Sequence, residues 1–246
     1  MSQAAARRPL SFTTLARTRA GSGRDHNEDA YLARPQVGLW AVADGMGGHR
    51  AGEAASGAVV EALRQVRPQL SGYALLREMR ERLVGANAVL RAQAAALGEG
   101  AVVGSTVVAL AVHEDHYACV WAGDSRAYLQ RGELLMRLTH DHSLVQELID
   151  GGALDERDAG KARISNVITR AVGASDGLEL GETHGDLRRG DILLLCSDGL
   201  TGLVPDVEIG ETLAAFELQA AADRLLELVE ARGGRDDATF LLVRAD

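Results

Sequence analysis

Four short clusters of acidic residues are the part of this 246-residue chain best suited to chemistry. The clusters are Arg24–Asp29, Asp44–Gly48, Ser197–Gly199 and Arg235–Asp237. Each one follows or precedes a segment that is predicted to be a β-strand. Carboxylates that a fold gathers in one place repel one another, so a bound cation is needed to compensate their charge. Oxygen ligands without cysteine or histidine favour Mg²⁺ or Mn²⁺ over zinc.

Single elements of these clusters are weak signals, because most Asp-Gly pairs are ordinary turns. In Asp44-Gly45, however, glycine would let a backbone carbonyl approach a cation closely. Arg24 is able to hold a phosphate through two hydrogen bonds, the alternative being a surface ion pair with Asp25 or Glu28. Taken together, the clusters predict a site with two metal ions that activate a water for attack on phosphorus. The sequence therefore indicates a metal-dependent hydrolase of phosphate esters.

The composition excludes several other classes of function. The formal net charge is −9 and the chain has a single lysine, Lys161, which disfavours a nucleic-acid-binding face. Cys119 and Cys196 lie in apolar segments and are expected to be buried hydrophobic residues, with no spacing typical of zinc or redox sites. No signal peptide is visible, and the apolar runs are too short to span a bilayer. We therefore expect a cytoplasmic protein with no membrane segment.

The hydrophobic periodicity predicts strands that surround helices without regular alternation. The predicted strands are Phe12–Thr18, Val37–Ala43, Val102–His113, His116–Ala122, Arg126–Gln130, Leu134–Leu138, Leu178–Thr183, Ile192–Cys196 and Ala238–Val243. The predicted helices are Ala51–Val66, Leu76–Leu97, Leu144–Ile149 and Leu218–Ala231. This order favours antiparallel sheets with helices packed outside them, in one domain over residues 11–246 after a tail of residues 1–10.

The motifs occur in an order that resembles the PPM family, the type-2C metal-dependent Ser/Thr protein phosphatases, in a bacterial form. The matching segments are Arg24–Asp29, Asp44–Gly48, Gly104-Ser105-Thr106, Gly123–Arg126, Ser197–Leu200 and Asp236-Asp237. The resemblance extends from about Thr18 to Val243. It implies an α+β fold, namely a four-layer α-β-β-α sandwich of two antiparallel sheets flanked by helices.

The resemblance also implies a set of metal ligands for two core Mn²⁺ or Mg²⁺ ions. Asp44 should bridge both ions. Glu28 and the carbonyl of Gly45 should hold one of them, while Asp198 and Asp236 should hold the other.

Three further roles follow from the same resemblance. Asp124, together with Asp198, should hold a third, weaker ion, and it is counted with Arg24 and Asp44 among the catalytic residues. Arg24 should hold the substrate phosphate. Asp29 should support the site through hydrogen bonds to its ligands.

The implied activity is hydrolysis of phosphoserine and phosphothreonine by direct attack of metal-activated water, without a phosphoenzyme. The expected partners are phosphorylated proteins, among them a Ser/Thr kinase and its targets, and the protein is expected to be a monomer. A looser likeness is to the phosphatases found with type VI secretion systems. A flap over residues 144–165 is expected beside the site, where loops often carry specificity.

Two positions depart from the family pattern. Met46 stands where some members have a histidine proposed as the general acid, so the leaving alkoxide must take its proton from metal-bound water or another group, with His49 as a weak candidate. Asp237 stands where asparagine is usual, and its extra negative charge is expected to tighten or reshape metal binding.

His140 and His142 are interpreted as structural or flap-positioning residues and not as metal ligands.

Three alternatives remain open at this stage. A phosphoprotein-binding pseudophosphatase should have lost metal acids, whereas all of them are present. A switch phosphatase with a single partner shares the fold but usually carries a sensor domain, for which 246 residues leave no room. A calcium-binding module is disfavoured because no loop of the D-x-D-x-D-G type occurs.

Overall fold

The structure, a computed structural model, describes residues 9–47, 50–68, 71–155 and 167–246. Its strands are β1 (Phe12–Arg19), β2 (Asp29–Arg34), β3 (Leu39–Met46), β4 (Gly104–Ser105), β5 (Val107–His113), β6 (His116–Ala122), β7 (Arg126–Arg131), β8 (Leu134–Arg137), β9 (Gly181–Asp186), β10 (Ile192–Cys196) and β11 (Ala238–Ala245). Its helices are α1 (Arg50–Arg64), α2 (Gly72–Leu97), α3 (Leu144–Asp150), α4 (Asp198–Thr201), α5 (Asp206–Ala215) and α6 (Leu218–Ala231).

The strands form two antiparallel sheets. One has the order β1-β11-β10-β7-β8, and the other has the order β2-β3-β5-β6-β9 with β4 paired to β3. Consecutive strands such as β5 and β6 are joined by a tight hairpin, in which His113 lies opposite His116. The fold is thus α+β with two antiparallel sheets and flanking helices, as the sequence predicts.

Three hydrophobic clusters hold the layers together. One lies between the sheets and contains Trp40, Leu110 and Leu241. A second packs α1 and α2 on one sheet, and a third packs α4, α5 and α6 on the other. Because β5 is covered on both faces, its sequence is a continuous apolar run instead of an alternating one.

This topology brings the ends of several strands together at one side of the sandwich. Asp44 lies near the end of β3, and Asp198 and Asp124 follow the ends of β10 and β6. Glu28 and Asp236 precede β2 and β11, which run antiparallel to β3 and β10. Since the end of one antiparallel strand lies beside the start of its neighbour, all five residues reach the same side of the molecule.

Some elements differ from the sequence-based predictions. Asp29, at the end of the first acidic cluster, begins β2, a strand that was not predicted. Helices α4 and α5 were also missed, and β9 begins three residues later than predicted. Helix α4 has only 4 residues, which is too short for a periodic apolar pattern to emerge.

The predicted division into a tail of residues 1–10 and one domain of residues 11–246 stays a prediction, since residues 1–8 lie outside the described part of the chain. Residues 144–155 of the predicted flap are described and begin with α3, whereas 156–165 lie outside. Among the described residues, no helix is long and apolar enough to cross a membrane.

The packing of α2 generates a test of the core. Leu83 is fully buried against the sheet, whereas its neighbour Val84 is 53% exposed. We expect Leu83→Ala to lower the free energy of unfolding by about 2–5 kcal/mol, because it removes buried methyl groups and leaves a cavity. Val84→Ala is the matched control and should change it by less than about 0.5 kcal/mol. Urea denaturation followed by circular dichroism measures both values, and equal losses would contradict the packing described.

Candidate active site

Asp44 is the centre of the acidic cluster. Its backbone N–H donates to Thr106 Oγ1 at 3.0 Å, and its carbonyl accepts from the N–H of Thr106 at 2.8 Å. Ser105 Oγ donates to the same carbonyl at 3.0 Å. These bonds join the end of β3 to Ser105 and Thr106 on one side, and β2 pairs with it on the other, so the backbone that carries the Asp44 carboxylate is fixed from two sides.

Burial and mutual repulsion dominate the electrostatics of the cluster. Burial raises the pKa of Asp44 well above its ordinary value, and the neighbouring carboxylates raise this pKa further. These neighbours are Asp29, Asp198, Asp124 and Asp236. Burial likewise raises the pKa of Asp124 to about 7, with the charge of Asp198 as the next cause. The pKa of Asp198 is raised to about 6 by burial and then by the charge of Asp236.

Asp44 and Asp198 lie close enough for each carboxyl group to influence the pKa of the other. Binding of a cation by both groups would compensate the charge that they bring together. Within the described residues, Oδ1 of Asp198 and Oδ1 of Asp124 are buried and accept no hydrogen bond. Buried carboxylate oxygens are costly without a partner, so both atoms are suited to binding a cation.

Glu28 and Gly45 approach each other beside Gly52 in α1. The N–H of Gly45 donates to the carbonyl of Glu28 at 3.0 Å. A Cβ atom built on Gly52 would lie 2.7 Å from Glu28 Oε1 and 2.9 Å from the Gly45 carbonyl oxygen. Gly52 therefore leaves space beside two predicted ligands of one metal ion. Sequence reasoning missed Gly52, and the only available signal was a glycine in the first turn of a helix, where it is unfavourable.

Arg24 is the cation that lies among these acids in the structure. Its Nη2 lies 2.5 Å from Asp236 Oδ1, and its Nη1 lies 2.9 Å from Asp237 Oδ2 and 3.5 Å from Glu28 Oε2. The alternative pairing with Glu28 is thus present, but the Asp236 and Asp237 contacts are shorter. Neighbouring acids raise the pKa of Arg24, although burial opposes this effect and is the largest single cause.

Asp29 is held by hydrogen bonds to the opposite sheet. Ser197 Oγ donates to Asp29 Oδ2 at 2.7 Å, and the N–H of Thr239 donates to Ser197 Oγ at 3.0 Å. Burial raises the pKa of Asp29 to about 7, although its bonds to Ser197 and Thr239 oppose this shift. Asp29 therefore links β2 to the segment that carries Asp198. Ser197 is a further residue that sequence reasoning did not single out.

The donor set fits a hard divalent cation, since every predicted ligand atom is an oxygen. In the described part of the chain, no three His, Cys, Asp or Glu side chains already form a cage around one point. Asp236 is instead paired with Arg24. The structure thus gathers Asp44, Asp124, Asp198 and Asp236 within range of one another's charge, with one of their carboxylates paired with an arginine.

His140 and His142 lie in the segment after β8, and the N–H of His142 donates to the carbonyl of Gly123, next to Asp124, at 2.9 Å. The His142 ring stacks on Trp121 with a centroid distance of 5.9 Å, and the Trp121 indole N–H donates to the His140 carbonyl at 2.7 Å. His140 Nε2 lies 2.7 Å from Asp150 at the end of α3. Burial lowers the pKa of His142 to about 4. The interpretation of both histidines as structural or flap-positioning residues stays a prediction, and His49 lies outside the described residues.

Comparisons with known proteins agree with this fold. Residues 19–233 match the family model described as protein phosphatase 2C. The serine/threonine phosphatase stp of Listeria monocytogenes is 35% identical over 240 residues, which cover 94% of each chain.

Solved structures show the same likeness. PppA, described as a key regulatory component of T6SS in Pseudomonas aeruginosa, is 39% identical, with a TM-score of 0.89 and coverage of 97% of this chain and 99% of that one. The catalytic domain of the serine/threonine protein phosphatase PstP in complex with two manganese ions is 35% identical, with a TM-score of 0.84 and coverage of 96% and 99%. The chain belongs to the protein phosphatase 2C family, the metal-dependent serine/threonine protein phosphatases.

The repulsion between Asp44 and Asp198 generates a stability test. We expect Asp198→Asn to raise the melting temperature in a chelating buffer by about 2–4 °C, because one buried negative charge would be removed from beside Asp44. Differential scanning calorimetry with a chelator measures this change.

Asp191→Asn is the matched control, because Asp191 is a buried acid that accepts 2.9 and 2.6 Å hydrogen bonds from Arg131. This substitution should lower the free energy of unfolding by about 2–4 kcal/mol, because Arg131 loses its charged partner. A lower melting temperature for Asp198→Asn in the chelating buffer would show that the carboxylates at the site do not repel one another as described.

Proposed function

We propose that the protein hydrolyses phosphoserine and phosphothreonine in phosphorylated proteins at the acidic cluster around Asp44. The observation that carries this proposal is that Asp44 lies within electrostatic range of Asp198, Asp124 and Asp236 at the joined ends of the two sheets. Within the described residues, neither Asp44 nor Asp124 forms an ion pair with a lysine or arginine, and the charge of Arg126 offsets that of Asp124 only as a minor cause. An acid cluster of this kind is poorly suited to stability alone and well suited to binding divalent cations.

The proposed metal ligands follow from position. Asp44 would bridge two Mn²⁺ or Mg²⁺ ions, with Glu28 and the Gly45 carbonyl on one and Asp198 and Asp236 on the other. The PstP structure with two manganese ions supports this number of core ions. Asp124 would hold a third, weaker ion together with Asp198.

When bound, the two ions supply Lewis-acid chemistry, lowering the pKa of water and offsetting charge that develops on the phosphoryl oxygens. The chain's own residues orient the reactants. Thr106 and Ser105 fix the backbone of Asp44, and Ser197 fixes Asp29. Binding of a cation by Asp236 would free Nη2 of Arg24, which would then hold a phosphate oxygen. Met46 has no proton to donate, so protonation of the leaving alkoxide falls to another group or to water.

The substrates are proposed to be phosphoproteins, with a bacterial Ser/Thr kinase and its targets as the opposing partners. The likeness to PppA supports a role linked to secretion as one setting for that partnership. A switch phosphatase with a single partner is a second function that the same site could serve. In a deletion strain, a switch phosphatase would leave one phosphoprotein to accumulate, whereas a phosphatase that opposes a kinase would leave several. We propose a cytoplasmic monomer in either case.

Metal dependence is the first test of this function. After chelation, hydrolysis of an aryl phosphate should fall to background and should return when Mn²⁺ or Mg²⁺ is added in excess. Asp44→Asn should lower kcat by about 100-fold or more at saturating Mn²⁺, since it removes the charge of the proposed bridging ligand. Asp206→Asn, which alters an acid at the start of α5, is the control and should keep most of the activity. Turnover by the metal-free protein would refute the proposal.

Asp124→Ala tests whether this residue serves a third ion only. Titration calorimetry should still detect two tightly bound Mn²⁺ ions, whereas kcat should fall by about 10-fold or more. If the tight sites are lost, Asp124 is a core ligand. If both affinity and rate are unchanged, Asp124 has no role in the reaction.

A further inference from the structure

Asp237 is a buried acid that lies beside the proposed metal ligands. Its side chain is 2% exposed, and it follows Asp236 directly at the start of β11. Its extra charge was expected to tighten or reshape metal binding. In the structure, however, both carboxylate oxygens are occupied by donors from the loop that precedes β2.

Three donors from this loop reach the Asp237 carboxylate. The N–H of Gly21 donates to Oδ1 at 2.8 Å, and the N–H of Glu28 donates to Oδ2 at 2.8 Å. Arg24 Nη1 donates to the same Oδ2 at 2.9 Å. Asp237 therefore fixes the two ends of the segment 21–28 together with the arginine at its middle.

The two terminal nitrogens of the Arg24 guanidinium pair with two consecutive acids. Nη2 pairs with Asp236 and Nη1 pairs with Asp237. A cation bound by Asp236 would release Nη2. Nη1 has no such competitor, because each oxygen of Asp237 already accepts a backbone N–H of the loop.

We propose that Asp237 is a positioning residue that holds Nη1 of Arg24, so that Nη2 is available to the substrate phosphate. This inference rests on the proposed role of Arg24 in holding phosphate. The carboxylate suits the task because it supplies two oxygen acceptors and a full negative charge to the guanidinium. An asparagine at this position has only one acceptor oxygen. Its amide N–H₂ would therefore lie against another donor, either the N–H of Gly21 or the N–H of Glu28 together with Arg24 Nη1.

The test is a double-mutant cycle between residues 24 and 237. Asp237→Ala should raise the KM for an aryl phosphate about tenfold, and Asp237→Asn should raise it about threefold, with smaller effects on kcat. The dissociation constant of inorganic phosphate, measured by calorimetry on the Mn²⁺-loaded protein, should rise by similar factors. In an Arg24→Ala background, neither substitution should change KM or phosphate affinity further.

Ser22→Ala is the matched control, because Ser22 Oγ donates to the Gly233 carbonyl at 2.9 Å and ties the same loop without contacting Arg24. It should leave KM unchanged. If Asp237→Ala does not fold, the Asp237→Asn cycle gives the same information. Equal effects of Asp237 variants with and without Arg24 would overturn the inference, and so would an Arg24→Ala protein with normal phosphate affinity. A protein that binds phosphate but does not hydrolyse the ester would instead refute the proposed function.

Discussion

The mutual repulsion of buried carboxyl groups around Asp44, with Asp198 among them, is the constraint on which the site depends. Like charges gathered inside a protein are unfavourable, and burial adds to the cost. The surrounding structure must therefore hold them together against their repulsion. It does so by placing each one at the end of a strand whose backbone is hydrogen-bonded on both sides. The folded protein therefore loses stability at this site, as expected where residues are placed for ligand binding instead of for stability.

Antiparallel pairing supplies the scaffold that gathers these acids. The end of β3 lies beside the start of β2, and the end of β10 lies beside the start of β11. Stacking of the two sheets then brings these four strand ends to one side. Close backbone approach completes the arrangement, since a Cβ on Gly45 would lie 1.9 Å from the Gly52 carbonyl oxygen and one on Gly199 would lie 1.9 Å from that of Asp237. Larger residues at these glycines would force the strand ends apart.

Much of this arrangement could be predicted from the sequence, and the remainder has identifiable causes. Long periodic segments such as Leu218–Ala231 were predicted with their observed bounds, because an amphipathic helix carries its own pattern. Strand β2 was missed because it lies at the edge of its sheet and its polar residues resemble a turn. The hydrogen bond from Ser197 to Asp29 joins residues 168 positions apart, and no local pattern reveals such a contact. The same is true of the space that Gly52 leaves beside Glu28.

The buried acids of this chain divide into two kinds, and the division separates scaffold from site. Asp191 and Asp141 are paired with arginines, and such ion pairs fix loops to strands. Asp44 and Asp124 instead face other carboxylates, and their pKa values are raised by burial and by those neighbours. Asp237 is paired with an arginine, as Asp191 and Asp141 are, but it lies beside the acids that face other carboxylates. An anchor for Arg24 requires both properties, because a paired acid keeps its hydrogen bonds when the unpaired acids beside it bind a cation.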